Sequence, residues 1–357
     1  MNGKFVVCSA DDIRSVQEYG VKRVIIPWAA ASQGSGVFLP ELEAMLAQAH
    51  DGGMQVDLAA DILPDDSQLD ALMDEFRRTD LLRPGRIQGV RLQNIGLARV
   101  IRQAYPHLKV IFDVRSGGNH PAYYTWLQRM GLDGAVLSRE LSLESLPDFF
   151  CSAGAPFSFE LRVFGAIAFF SSRRALLDMA VGQTCLLEEP SRPGQRFLLE
   201  RGNDSVLHHS RYLDLRGHLG RLQSWPLTLV LDYRHVCTCR EMLAYWFDGR
   251  EFAALHGLAP MADPQLPREE SRPPSDAQEP VARLLDVKRS RYLVAEVFAG
   301  LADGEELLCQ SPEGKCFSLR WQPRKTWSGS PGSSLALLPW VKGATVGAVL
   351  MRKDVDG

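Results

Sequence analysis

Residues 134–178 read GAVLSRELSLESLPDFFCSAGAPFSFELRVFGAIAFFSSRRALLD, and this stretch decides the fold. It holds two apolar, strand-like segments, residues 134–137 and 157–164, and each delivers polar side chains at its C-terminal end. The first ends in Ser138, Arg139 and Glu140, after which Ser142 and Glu144 open a short helix as a capping residue followed by an acid. The second ends at Gly165. Strand, polar tip and helix in that order form one unit of an α/β protein, and such proteins keep their chemistry at the C-terminal ends of the strands.

The same pattern recurs on both sides. Apolar segments predict strands at residues 4–8, 23–26, 55–59, 89–92, 109–112, 134–137, 157–163 and 227–231. Helices are expected at 11–19, 39–49, 67–80, 96–105, 121–130, 144–149 and 240–246. Gly52-Gly53, Pro84-Gly85, Gly117-Gly118 and Gly131 stand where one element must stop and the next begin. Eight such units predict an α/β protein of the TIM-type (β/α)8 barrel class over residues 1–257.

One connection breaks the rhythm. A long insertion at about 165–225 separates the seventh strand from the eighth, and long excursions inside compact domains are usually functional. Its Arg173, Arg174, Glu188, Glu189, Arg192, His208 and His209 form a polar set above the barrel mouth, or equally a solvated excursion with a β-hairpin around Gly194. Residues 258–281 are rich in proline and charge and read as a linker. Beyond it, strand-like segments at 292–298, 306–310, 316–321, 334–338 and 345–351 predict a small all-β C-terminal domain over 282–357.

Composition sets the outer bounds. With 357 residues, 45% hydrophobic and 23% charged, the chain can fill one barrel and one small domain. No run approaches the length of a membrane span, and the N-terminus reaches charge too early for a secretory segment, so a cytoplasmic protein without membrane contact is expected. Seven scattered cysteines argue for free thiols, and Cys237-Thr-Cys239 alone is a weak metal motif, so no metal site is expected. Residues 282–357 carry 11 Lys+Arg against 8 Asp+Glu while the whole chain is at −3. That mildly basic tail is compatible with RNA contact and equally with a solvated face.

In a barrel the residues just past each strand share one mouth. They are Ser9, Pro27, Asp61, Gln93 with Asn94, Asp113 with Arg115, Ser138 with Arg139 and Glu140, Glu160 with Arg162, and Asp232 with Arg234. One reading makes this a site for an anionic small molecule. Arg139, Gln93, Asn94, Asp113, Arg115, Arg162 and Arg234 would bind it, and Glu140, Glu160 and Asp232 would serve as catalytic carboxylates. The other closes a structural network in which Arg139, Arg234 and Arg162 pair with Glu140, Asp232 and Glu160. Because neighbouring residues on a strand face opposite ways, Arg139 is expected to enter the mouth and reach Glu160, while Glu140 caps or pairs at the rim. Neither HExxH nor GxSxG occurs, Ser138 and Ser142 have no evident histidine partner, and His120 is the best mouth histidine but reads as a loop residue.

Several of these motifs carry a family resemblance. Ser138-Arg139-Glu140-Leu141-Ser142-Leu143-Glu144, then Glu160, Val163 and Gly165-Ala166-Ile167, resemble the signature region of the collagenase-like U-32 peptidase family. So do Gln93-Asn94-Ile95-Gly96-Leu97-Ala98-Arg99, Ala104-Tyr105-Pro106, Glu188-Glu189, Arg192-Pro193-Gly194, Ser311-Pro312-Glu313-Gly314-Lys315 and the closing Leu350-Met351-Arg352. The resemblance implies the barrel, an appended β-domain, and kinship with oxygen-independent hydroxylation proteins acting on RNA bases or quinone precursors, beside the peptidase activity of the family name. It also implies cysteines for an iron–sulfur cluster, where this chain has Ala168, Ala175 and a single Cys185; a family histidine is Phe164. No family-type cluster is therefore expected. The implied role is an accessory or binding subunit that kept the pocket, with RNA or a cluster-bearing paralogue as partner, and a hydrolase or an RNA binder as alternatives.

Overall fold

The computed structural model describes residues 2–115, 117–152, 156–177, 184–188, 196–262, 280–311, 316–328 and 334–352. The chain divides into two compact units, Met1–Gln265 and Leu266–Gly357. Among the described residues no helix is long and apolar enough to cross a membrane.

In the first unit the strands run β1 (Gly3–Val6), β2 (Arg23–Pro27), β3 (Gln55–Ala60), β4 (Gly89–Leu92), β5 (Lys109–Asp113), β6 (Gly134–Val136), β7 (Ser158–Ser172), β8 (Thr184–Glu188), β9 (Arg196–Arg201), β10 (Ser205–Asp214), β11 (Leu227–Leu231) and β12 (Ala259–Met261). Strands β1 to β7 pair in sequence order, and β11 pairs with both β7 and β1 in parallel, which closes a (β/α)8 barrel. Around it lie α1 (Ala10–Glu18), α2 (Leu39–Asp51), α3 (Asp66–Thr79), α4 (Ile95–Ala104), α5 (Pro121–Arg129), α6 (Leu146–Ser152), α7 (Leu219–Gln223) and α8 (Cys239–Leu243).

Local chemistry explains why helices start where they do. Ser9, Asn94 and Thr238 each accept a backbone N–H of the first turn of α1, α4 and α8. Asp65 forms a capping box with Gln68 at α3. The expected helix from residue 144 begins only at Leu146, because residues 142–145 form a turn closed by the Ser145 N–H donating to the Ser142 carbonyl. Leucines, valines and isoleucines on the outer strand faces pack against Leu42, Met45, Leu46, Leu72, Phe76 and Tyr124 from the helices, and this layer is the main core.

The insertion is a β-structure. β7 runs fifteen residues, far past the Gly165 at which the sequence ended it. β10 returns antiparallel along it, and β9 and β8 follow as an antiparallel pair. Gly165 is needed at the crossing: its φ is 139°, and a Cβ there would lie 2.5 Å from the Asp232 carbonyl oxygen. A turn at Gly194, with Glu189 and Arg192, lies outside the described residues. Arg173 pairs with Asp65 at 2.9 Å, which ties the excursion to the start of α3. The Gln68 N–H, then Ser67 and Arg173, hold the Asp65 carboxyl down to about 2. Asp65→Ala should lower the urea midpoint modestly with an unchanged m-value, as loss of a cap does.

The expected linker begins later than its composition implied. Leu258 and Met261 are buried, and β12 pairs in parallel with β10. Residues 263–279 lie outside the described set. Among its described residues the second unit has seven strands rather than five: β13 (Ala282–Lys288), β14 (Tyr292–Val297), β15 (Glu306–Gln310), β16 (Cys316–Arg320), β17 (Lys325–Ser328), β18 (Ser334–Pro339) and β19 (Val349–Arg352). They form one antiparallel sheet in the order β16-β15-β19-β13-β14-β18-β17, over a core that includes Leu284, Leu293, Leu307, Trp321, Leu338 and Leu350.

Candidate functional site

Period-two alternation sends Lys4, Asp57, Arg91 and Glu160 into the barrel interior from β1, β3, β4 and β7. There Lys4 bonds Asp57 and, at 2.7 Å, Glu160 Oε1, while Arg91 bonds Glu160 Oε2. All four residues are buried. Two positions further along the strands stand Val6, Ile25 and Val230, with Ala59 against them, forming an apolar plug. Toward the C-terminal ends of the strands stand Asp61, Asp113, Arg115, Arg162 and Asp232, the mouth.

This layering corrects the reading of Glu160. It is the third residue of β7 and belongs to the deep ionic layer, so Arg139 does not hold it and Arg162 does not pair with it. Lys4, Asp57 and Arg91 were not anticipated. Charged residues inside a strand read as its solvent face, and only barrel closure turns them inward.

At the mouth Asp232 is held by Arg234, with contacts of 2.9 and 2.7 Å to its two oxygens. Burial alone would raise the Asp232 pKa, but the Arg234 guanidinium overrides it and holds the carboxyl well below its usual range. Asp113 shifts down likewise against burial, through Arg115, Arg162 and Arg91. Arg115 bonds Asp61 and Gln33 and lies 3.6 Å from Asp113; Arg162 lies 3.8 Å from Asp113.

Arg139 differs from both. It lines a small pocket, about 40 Å³ and open to solvent, with Asp113, Arg115, Arg162, Ile167 and Ala168. Among the described residues it makes no hydrogen bond and no ion pair. Burial, then the charges of Arg162 and Arg115, pull its pKa down to about 10, against Asp113 and Glu140. Glu140 turns outward and accepts from the Gly117 N–H and the Asn119 amide, each at 3.1 Å.

The remaining candidates do not line this pocket. Asn94 caps α4; Gln93 has a buried side-chain oxygen with no hydrogen-bond partner. His120 caps α5, its Nδ1 accepting the Ala122 N–H. The three carboxylates Glu140, Glu160 and Asp232 are thus each engaged elsewhere, and the fold does not bring them together. Ser138 is buried, its N–H donating to the Tyr124 hydroxyl oxygen and its Oγ accepting the Glu140 N–H.

A second cluster, which motif spacing did not reveal, stands where the excursion meets the barrel loops. Glu200 Oε2 lies 3.0 Å from His208 Nε2 and 3.1 Å from His235 Nε2. Glu200 Oε1 accepts the Ser35 N–H at 2.6 Å and the Ser35 hydroxyl at 2.5 Å. Burial lowers the His208 pKa despite Glu200, whose own carboxyl is held far below its usual range by the two imidazoles. His208 had been noted only as part of a polar set. His235 gave no signal, since the three residues come from separate segments.

The cluster ligands that the resemblance implies do not fit this chain. Ala168 forms part of the arginine pocket wall, Ala175 is exposed, and Cys185 is left as one thiol where four thiolates are required. Cys237 and Cys239 are free thiols buried in the barrel core, where burial pushes the Cys237 thiol up to about 12.

Fold and site together define an α/β-barrel protein with a cationic mouth capped by a β-excursion. Residues 32–185 match the model of peptidase family U32. The U32 peptidase Mk0906 is similar at 15% identity over 47% of this chain and 70% of that chain, with a TM-score of 0.40. A GH27 β-L-arabinopyranosidase from Geobacillus stearothermophilus is similar at 10% identity over 96% and 97%, TM-score 0.37. An α-amylase from Malbranchea cinnamomea is similar at 10% identity over 99% and 96%, TM-score 0.37. No curated protein matches the chain.

The carboxylates give a pH prediction. Asp113, Glu160 and Asp232 have folded pKa values below their unfolded ones, near 4. Their contribution to stability is therefore complete above that value and is lost as pH falls through each folded pKa. Urea midpoints should hold between about pH 6 and 8 and decline steeply below about pH 4. A midpoint unchanged at pH 3 would contradict the assignment.

Proposed function

We propose that this chain, whose residues 32–185 match peptidase family U32, is a binding protein for a small organic anion, held at the barrel mouth by Arg139 with Arg115 and Arg162. The observation that carries this is the unpaired Arg139: a half-buried guanidinium beside two others, with Asp113 shared between those two. Keeping such a charge out of water costs free energy that a bound carboxylate or phosphate offsets through charge-assisted bonds. Val136, Ile167 and Leu213 in the walls suit an apolar body attached to the charge. The role fits an accessory subunit of the hydroxylation-type branch of the family better than a hydrolase, because Glu160 and Asp232 are locked in ion pairs and Glu140 faces outward.

Titration calorimetry against a panel of aromatic and aliphatic carboxylates, their phosphate analogues and the matching neutral amides tests this. Acids should bind with a salt-sensitive affinity, and amides should not. Equal binding of acid and amide, or no heat from any anion, would refute the reading. Glu140→Gln should leave the affinity unchanged, which separates the pocket from the rim.

A further inference from the structure

We propose that Glu200, His208 and His235 form a binding site for a divalent first-row transition ion of zinc's class. This inference does not rest on the anion pocket.

The three donor atoms lie within 4.8 Å of one another, and Glu200 Oε2 is 3.0 and 3.1 Å from the two imidazole Nε2 atoms. Ligands at about 2.1 Å from a tetrahedral zinc stand roughly 3.4 Å apart, so an ion is accommodated by shifts of a few tenths of an ångström. Two imidazoles and one carboxylate leave a coordination position open, and imidazole donors select zinc, iron or copper over magnesium and calcium.

The surroundings are built for holding this carboxylate in place. Glu200 and His208 sit on adjacent antiparallel strands, and since Glu200 faces Val206, His208 is its diagonal neighbour on the same sheet face. The Ser35 N–H and hydroxyl fix the second oxygen, the kind of outer contact that orients metal ligands. A Cβ at Gly34 would lie 2.7 Å from Glu200 Oε2, so any larger residue there would push on this carboxylate. His235 has a φ of 66°, a left-handed conformation uncommon outside glycine, and its Nε2 lies 3.1 Å from Glu200 Oε2. His208 is 7% exposed, its Nδ1 has no partner among the described residues, and its ring is held through Nε2 alone. Arg234, nearby, opposes a cation, but Asp232 holds both edges of its guanidinium. An ion here would fasten the excursion strands β9 and β10 to the loop after β11.

The full chain, made without a histidine tag, would be stripped with chelator and titrated with Zn2+, Mn2+ and Mg2+ by calorimetry, and with Co2+ by visible absorption. The expected result is about one tight Zn2+ per chain, a Co2+ spectrum free of thiolate charge transfer, and no Mg2+ binding. His235→Gln and His208→Gln should each weaken Zn2+ by more than about 100-fold, and Ser35→Ala by about 10-fold, with circular dichroism unchanged. Should one histidine variant fail to fold, the other together with Ser35→Ala decides. Substoichiometric zinc, or zinc binding that survives both histidine substitutions, would overturn the proposal and leave a carboxylate–imidazole cluster without an ion.

Discussion

Glu160→Ala is expected to destabilise the barrel by about 3–5 kcal/mol, the range for removing one partner of a buried ion pair. Glu160 is 1% exposed and bridges Lys4 and Arg91, and Asp57 completes a quartet of two cations and two anions. Deleting one carboxylate leaves a net positive charge among closed strands, where neither Lys4 nor Arg91 reaches water. Replacing Arg91 and Glu160 together by methionine should cost much less than the two single changes added, since Lys4 keeps Asp57. Urea denaturation of the singles and the double gives the coupling directly. A single-variant loss below about 1 kcal/mol would remove the quartet from the scaffold and restore Glu160 as a candidate for chemistry.

The barrel was legible because its eight strands are short apolar runs bounded by glycine turns, and because helical periodicity stands between them. Residues 89–92 and 227–231 were placed to the residue. β7 was cut short because Gly165 reads as a terminator, whereas in the fold it is the point where the strand passes close to Asp232. The depth of a side chain inside the barrel was harder to read. A residue's distance from its strand's end sets its layer, so Glu160 and Arg162, two apart, fall on different levels of one face.

The two clusters at the mouth differ in legibility for a physical reason. Arg115 and Arg139, just past strand ends, and Arg162, on the inward face of β7, converge whatever the loops do, so all three could be named from sequence. Glu200, His208 and His235 meet only because β10 folds back along β7 and the loop after β11 turns through a left-handed histidine. No spacing rule encodes a meeting that depends on long-range strand pairing and one strained turn.

Arg139→Ala should abolish most of the affinity for an anionic ligand while leaving the fold as stable as before. A charge-assisted bond to a carboxylate contributes about 1.5–3 kcal/mol, so affinity should fall roughly 10- to 100-fold. An Arg139 that held Glu160, as the sequence predicts, would cost about 1–3 kcal/mol through the partner left unpaired. The structure corrects this: Arg139 has no such partner among the described residues, and the charges that act on it most are the cations Arg162 and Arg115, against Asp113 and Glu140. Removing it relieves repulsion, so the urea midpoint should stay level or rise slightly. Arg139→Lys, which keeps the charge but not the planar fork, should fall between the two in affinity. The same carboxylate titrated into parent and both variants, alongside urea melts, checks the pair of expectations. Unaltered affinity in Arg139→Ala would move the site away from this pocket, and a large stability loss would make Arg139 part of the scaffold after all.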